Sequence, residues 1–278
     1  MTVVVFTLII LFGSYFAGLL GSLTGLGGGV VIIPLLTLLL NVDIHYAIGA
    51  SLVSVIATSS GSAAAYVKEG ITNMRLGMFL EIATTVGAMC GAILAVYIPT
   101  HYIAILFGVI LIFSALLSLR KKAEHITHQK NYLAEKLKLN SSYPTADGVV
   151  EYSINKVGGG FFTMLFAGII SGLLGIGSGA LKVIAMDTIM RVPFKVSTTT
   201  SNFMIGVTAS ASAVVYLQRG YISPGLSMPV VIGVLLGALT GSKILVQATS
   251  SRWLRWVFAV VVTFLAGQMI YNGITGKI

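Results

Sequence analysis

Charge is scarce in this chain: Asp, Glu, Lys and Arg make up 9% of its 278 residues. Soluble domains carry roughly 25%, so the sequence lacks the polar surface that a soluble fold needs. Cysteine is nearly absent as well. Cys90 stands alone, which excludes an intrachain disulfide and any Cys-only metal cluster. No P-loop, HExxH or dinucleotide fingerprint occurs. The four histidines, His45, His101, His125 and His128, fall at segment ends or in a polar stretch. Gly177-Ser178-Gly179 therefore has no His base on a later apolar segment, and the nucleophilic chemistry of an intramembrane serine protease is not expected. No basic n-region precedes the first apolar run, which reads as a retained helix rather than a cleaved signal.

Apolar residues fill the space that charge leaves. They make up 56% of the chain, and mean hydropathy is +0.97. The runs are continuous rather than alternating, which argues for membrane helices and against a barrel. The net charge of +9 reads as loop Lys and Arg on the cytoplasmic side, not as a nucleic-acid surface.

The chain matches itself at an offset of 150. GLGGG at Gly25–Gly29 falls on GIGSG at Gly175–Gly179, and residues 16–98 contain 22 identities in 83 positions. Shared Gly, Ser, Thr and Tyr positions, such as Ser51 with Ser201 and Thr58 with Thr208, carry the signal. Each copy reads as five apolar segments: about 2–24, 29–40, 45–67, 74–98 and 102–119, then 158–174, 179–190, 195–217, 224–248 and 253–273. The expected organisation is a membrane repeat over 1–119, a cytoplasmic connector over 120–157 with a short helix near Asn131–Leu139, and a second repeat over 158–278.

The second segment of each copy has twelve residues. Twelve helical residues span about 18 Å against a hydrocarbon core of about 30 Å. Short, Gly-interrupted segments at matching places in two halves point to a transporter's binding site. If every segment reverses direction and the N-terminus lies outside, 13 Lys and Arg fall inside and two outside. The positive-inside rule favours that arrangement. Five reversals per copy turn the second copy upside down. The expected fold is thus an all-α polytopic membrane protein of two inverted-topology repeats, each a Gly-apex hairpin with a short or broken helix plus about three full spans.

The apices Gly25, Gly27, Gly28, Gly29 and Gly175, Gly177, Ser178, Gly179 are candidates for holding a small anion. Glycines let the backbone approach closely, and the following helix starts present unsatisfied N–H groups. For Gly18 and Gly21, and for Gly87 and Gly91, close helix packing is the favoured reading. Thr58, Ser201 and Thr208 could supply hydroxyl donors, although Ser and Thr often bond the preceding helical turn instead. Lys182, where the first copy has Ile32, is the expected electrostatic contact; pairing with Asp187 or snorkelling is the bland alternative. Glu81 and Asp187 are candidates for coupling transport to protons.

The pattern of small-rich helix, GxGGG and apolar run, in GLLGSLTGLGGGVVIIPLL and again in AGIISGLLGIGSGALKVIAM, resembles the TauE/SafE family of bacterial sulfite and organosulfonate exporters. Copy two departs from it at Ser178 and at Ile184, where the first copy has Pro34. The resemblance implies a secondary transporter, not an enzyme, that exports a small sulfur oxyanion across the cytoplasmic (inner) membrane without a cofactor. Its partners would be that anion and the lipid bilayer, with no nucleic acid. Gly-rich faces would suit a homodimer or internal packing equally. The rival readings are an importer or channel for thiosulfate or another small anion, a sulfur relay through Cys90, and a non-transporting scaffold.

Overall fold

A computed structural model describes residues 3–24, 28–68, 70–119, 131–145, 148–247 and 251–277. Five helical units make up the first half. They are α1 (Val3–Thr24), α2 (Gly29–Pro34) running into a π-helical turn (Leu35–Leu39), α3 (Ile44–Lys68), α4 (Met74–Tyr97) and α5 (Thr100–Leu119). A short α6 (Tyr132–Lys136) and a hairpin of β1 (Ser141–Thr145) and β2 (Gly148–Tyr152) follow. The second half holds α7 (Val157–Leu174), α8 (Gly179–Ile184) with its π turn (Ala185–Ile189), α9 (Phe194–Gln218), α10 (Pro224–Gln247) and α11 (Ser251–Ile274). Among the described residues, α4, α7 and α9 are long and apolar enough to cross a membrane.

The 150-residue interval recurs in local geometry. α2, its π turn, α3 and α4 begin and end 150 residues before α8, its π turn, α9 and α10. Each π turn is followed by a left-handed residue, Asn41 at φ 50° and Arg191 at φ 57°. Pro34, which cannot donate to the helix ladder, is thus not what produces the π turn, because Ile184 occupies its place in a second copy of the same geometry.

The halves interlock rather than sit side by side. α1 packs along α10 and α4 along α7, while α3 meets α9 and α5 meets α11. Glycine makes the first two contacts possible. A Cβ on Gly18 would strike the Val234 carbonyl, and one on Gly237 the Tyr15 carbonyl. Gly87 and Gly91 abut the backbone of Leu165 and Ile169, and Gly172 that of Ala88. Backbone meets backbone there, as in small-residue membrane helix contacts. These glycine faces are used within the chain.

Helix ends gather at two faces. At one face His45 stacks on Tyr221 at 4.9 Å, its Nε2 lies 3.1 Å from the Ala95 carbonyl, and Arg219 sits over Tyr97 at 6.0 Å. A cleft of about 180 Å³ opens there between Thr37, Asn41, Asp43, Thr100 and Lys277. His45 Nδ1, 3.1 Å from Asp43 Oδ1, holds the Asp43 carboxyl below its usual range through that hydrogen bond. The first π turn ends at this face; the second ends at the other, beside the connector.

The connector differs from the expectation. The short helix is present, but it leads into a β-hairpin that the sequence reading did not anticipate. The hairpin docks through Asn73, whose Oδ1 caps α4 at Leu76 N–H (3.0 Å). The Asn73 amide donates to Leu139 O (2.8 Å) and to Tyr152 Oη (2.9 Å). Tyr143, Tyr152 and Ile154 join a buried cluster with Leu76, Met186 and Met190. Asn155 N–H donates to Met190 O at 3.0 Å, which ties the connector to the end of the second π turn.

Two outcomes are expected. Gly172→Ala should destabilise by about 1–3 kcal/mol, because overpacking against the Ala88 backbone outweighs the helix-propensity gain. Gly267→Ala, with open space at its Cβ, should be neutral or stabilising by up to about 1 kcal/mol. Thermal unfolding in detergent distinguishes the two. Burial pushes the Tyr152 phenol up to about 12 from 10.0. The folded state then binds more protons than the unfolded one above pH 10, so stability should fall as pH rises from 10 to 12. Tyr152→Phe should flatten that slope in unfolding followed by near-UV circular dichroism.

Candidate anion site

The two short helices start next to each other. A Cβ on Gly29 would lie 3.4 Å from the Gly175 carbonyl, and Ser51 on α3 donates to that carbonyl at 2.8 Å. From there α2 and α8 run to the two opposite faces. Gly175 and Gly177 hold left-handed φ of 65° and 68°, and Ser178 a left-handed φ of 45°. Gly177 has a further reason for lacking a side chain, since a Cβ there would meet Ile205 at 2.8 Å and Val55 at 3.2 Å. Gly28, at the head of α2, has ordinary helical φ, and its carbonyl accepts from Val31 and Ile32 N–H. Gly25 and Gly27 lie outside the described residues.

Beside this junction is a crevice with room for about one water, lined by Val30, Ile110, Ser114, Ile176, Ser178 and Gly179. Ser178 is 3% exposed, and its Oγ has no hydrogen-bond partner. A buried hydroxyl without a partner costs free energy, and here it lies where the two helix starts converge.

Lys182 lies one turn further along α8 and is wholly buried. Its Nζ donates to Thr208 Oγ1 on α9 at 2.5 Å. Thr208 Oγ1 lies 2.6 Å from Glu81 Oε1 on α4 and 2.9 Å from its own Met204 carbonyl, two acceptors for one proton. Thr85 donates to the same Glu81 oxygen at 3.2 Å. A lysine, a hydroxyl and a carboxylate from three elements thus form one chain of hydrogen bonds inside the bundle. Helical spacing explains the join with Thr85, one turn beyond Glu81 on the same face.

This result separates the sequence candidates. Lys182, Thr208 and Glu81 are brought together; neither snorkelling nor Asp187 accounts for Lys182. Asp187 sits half-buried on the second π turn. Thr58 donates back to the Ser54 carbonyl at 3.0 Å. Ser201 donates to the Gly179 carbonyl at 3.2 Å, bracing α8 as Ser51 braces Gly175. Sequence reasoning missed Ser114 and Thr85. Thr85 could have been found at four residues past Glu81, but nothing in the sequence places Ser114 on α5 beside the apex of α8.

Apolar helices, paired short segments and a buried polar cluster suit a membrane transporter, and the comparisons identify one rather than an enzyme. The family described as Sulfite exporter TauE/SafE matches residues 10–269, and the chain belongs to it. It is 29% identical over 266 residues to the probable membrane transporter protein YunE of Bacillus subtilis (strain 168), covering 93% of this chain and 95% of that one. A second protein of that organism, the probable membrane transporter protein YdhB, is 27% identical over 236 residues, covering 85% and 89%. A probable membrane transporter protein of Xylella fastidiosa (strain 9a5c) is 25% identical over 273 residues, covering 96% of each chain. No solved structure matches.

Removing one member of the buried chain should cost more than removing both charges. Lys182→Met alone or Glu81→Gln alone should destabilise by about 3–5 kcal/mol, because each strands a buried charge. The double substitution should recover most of that loss. Denaturation of the four proteins in detergent gives the coupling; strictly additive losses would mean the two groups are independent.

Proposed function

We propose that this protein exports a small sulfur-containing anion, sulfite or an organosulfonate, across the cytoplasmic membrane by alternating access of two halves of opposite orientation. The halves are residues 1–119 and 158–278, joined by a cytoplasmic connector, with the N-terminus outside. The observation that carries the anion reading is Lys182, a cation buried completely beside a hydroxyl network and one turn from the unpartnered Ser178. A buried ammonium selects a negative ligand, and hydroxyl donors orient an oxyanion without a second full charge. The family's description supports sulfite as the ligand. The positive-inside distribution supports the orientation.

The anion would lie between the starts of α2 and α8, held by Ser178, Lys182 and Thr208 with the apex backbone of Gly28, Gly29, Gly177 and Gly179. Gly25, Gly27, Thr58, Gly175 and Ser201 complete the candidate set, the last two by fixing the apex backbone, where Ser51 donates to the Gly175 carbonyl and Ser201 to the Gly179 carbonyl. Opening that crevice towards one face and then the other requires α2 and α8 to shift against α3 and α9, and the π turns, with their looser ladders, are natural hinges. With the interior negative, each exported negative charge gains about 2.3 kcal/mol per 100 mV. Potential alone can therefore drive export, and coupling to Glu81 or Asp187 is an added lever.

Sulfite efflux from proteoliposomes, with the potential set by a potassium gradient, tests this. Efflux should rise with an inside-negative potential. It should fall about tenfold or more in Lys182→Ala, and several-fold in Ser178→Ala, as hydrogen bonds to a charged ligand disappear. Efflux no faster than from protein-free liposomes would remove sulfite as the substrate, and thiosulfate and short sulfonates would be the next anions measured.

A further inference from the structure

A cation buried inside a carrier has to be balanced in every state the carrier passes through, empty as well as loaded. Lys182 reaches its balancing charge through Thr208, at Glu81 Oε1. Glu81 is 8% exposed, and its second oxygen, Oε2, is buried without a hydrogen-bond partner. The carboxylate is therefore held on one side only, by Thr208 and Thr85. Among the described residues, the elements packed on α4 bring no other charged group to this role. Of the elements packed on α4, α7 carries no titratable side chain, and α9 carries Lys195 and Tyr216 near its two ends. Asp187 lies on the π turn beyond Lys182.

The other half of the fold is informative by contrast. Residues 150 positions away are Ile32 for Lys182, Thr58 for Thr208 and Val231 for Glu81. The hydroxyl is kept while cation and carboxylate are missing together. Charge and counter-charge thus occur as a unit, assembled from both halves at one of two related positions.

We propose that Glu81 is the built-in counter-anion of the empty carrier: it takes the substrate's place at Thr208 and Lys182 until an anion displaces it. This rests on the anion site described above. With Glu81 in place the empty site is electrically neutral, so the unloaded carrier can reorient and complete net export. When an anion enters, it takes the Lys182 and Thr208 donors, and Glu81 keeps the Thr85 hydroxyl. The loaded site then carries the anion's charge and responds to membrane potential. With a neutral residue at position 81 the balance reverses for a monovalent anion such as hydrogensulfite or a sulfonate: the loaded site is neutral, while the empty site strands a bare ammonium. Such a carrier exchanges one anion for another but returns empty slowly.

The test compares two modes of transport in Glu81→Gln, purified in sulfite and reconstituted in liposomes. Net efflux into sulfite-free medium should fall about tenfold or more, while exchange of radiolabelled internal sulfite for external sulfite stays within about threefold of the unsubstituted protein. Glu81→Asp should recover net efflux. Sulfite should also raise the Tm of Glu81→Gln more than that of the unsubstituted protein, because the ligand supplies the missing charge. Unchanged net efflux, or equal loss of both modes in a protein still stabilised by sulfite, would overturn the counter-anion role. If the unsubstituted protein exchanges no sulfite, the substrate reading fails, and the same comparison with thiosulfate, methanesulfonate and chloride decides the role of Glu81. Exchange of none of these would overturn both.

Discussion

Placing an ammonium group where no water reaches it constrains everything around it. Lys182 is wholly buried, and an uncompensated charge in such a place costs several kcal/mol. Compensation has to come from a carboxylate on another element, because the apolar run of α8 offers none within reach. Glu81 supplies it from α4, and Thr208 of α9 bridges the gap. Three elements must therefore meet at one depth of the bundle, which fixes how α8 seats against α9 and how α9 lies on α4.

That meeting depends in turn on glycine. α4 can approach the second half only because Gly87, Gly91, Gly168 and Gly172 let its backbone touch that of α7. The same device brings α1 onto α10 through Gly18, Gly233 and Gly237. Dispersion between closely set backbones takes over the work that hydrophobic burial does in water, since lipid tails are as apolar as the side chains. Outside the buried Lys182 network, two groups of hydroxyls act within the framework. Thr58, Ser60, Thr198 and Ser210 bond their own preceding turn, while Ser51 of α3 and Ser201 of α9 donate to the Gly175 and Gly179 carbonyls at the apex that opens α8. The second group braces that one apex, and its members are partners at the 150-residue interval.

Most of the helical framework is legible in the sequence because continuous apolar runs and the duplication both mark it. The short second segments show as runs too brief to span, and both appear as α helix passing into a π turn. The connector's hairpin was not legible: Ser141–Thr145 is a short strand that pairs with one neighbour, and the hairpin is anchored by Asn73 at Leu139 and Tyr152 and by burial of Tyr143 and Tyr152 against the helices. In the site, the rarity of Lys182 and Glu81 in apolar runs marked them singly. Their link through Thr208 was hidden, because it joins residues 127 positions apart and depends on the interlocking of the two halves. Asp187 looked like the nearer partner by sequence, but proximity along a helix does not decide which face a side chain uses.

The most direct measurement is a structure of the protein with selenite, which has the shape and charge of sulfite and whose selenium can be located by anomalous scattering. The selenium should sit between the starts of α2 and α8, within hydrogen-bond reach of Ser178 Oγ and Lys182 Nζ, with the Glu81 carboxylate moved off Thr208. Selenium found in the cleft between Thr37, Asn41 and Lys277, or Lys182 still bonded to Thr208 and Glu81 beside bound anion elsewhere, would contradict the account.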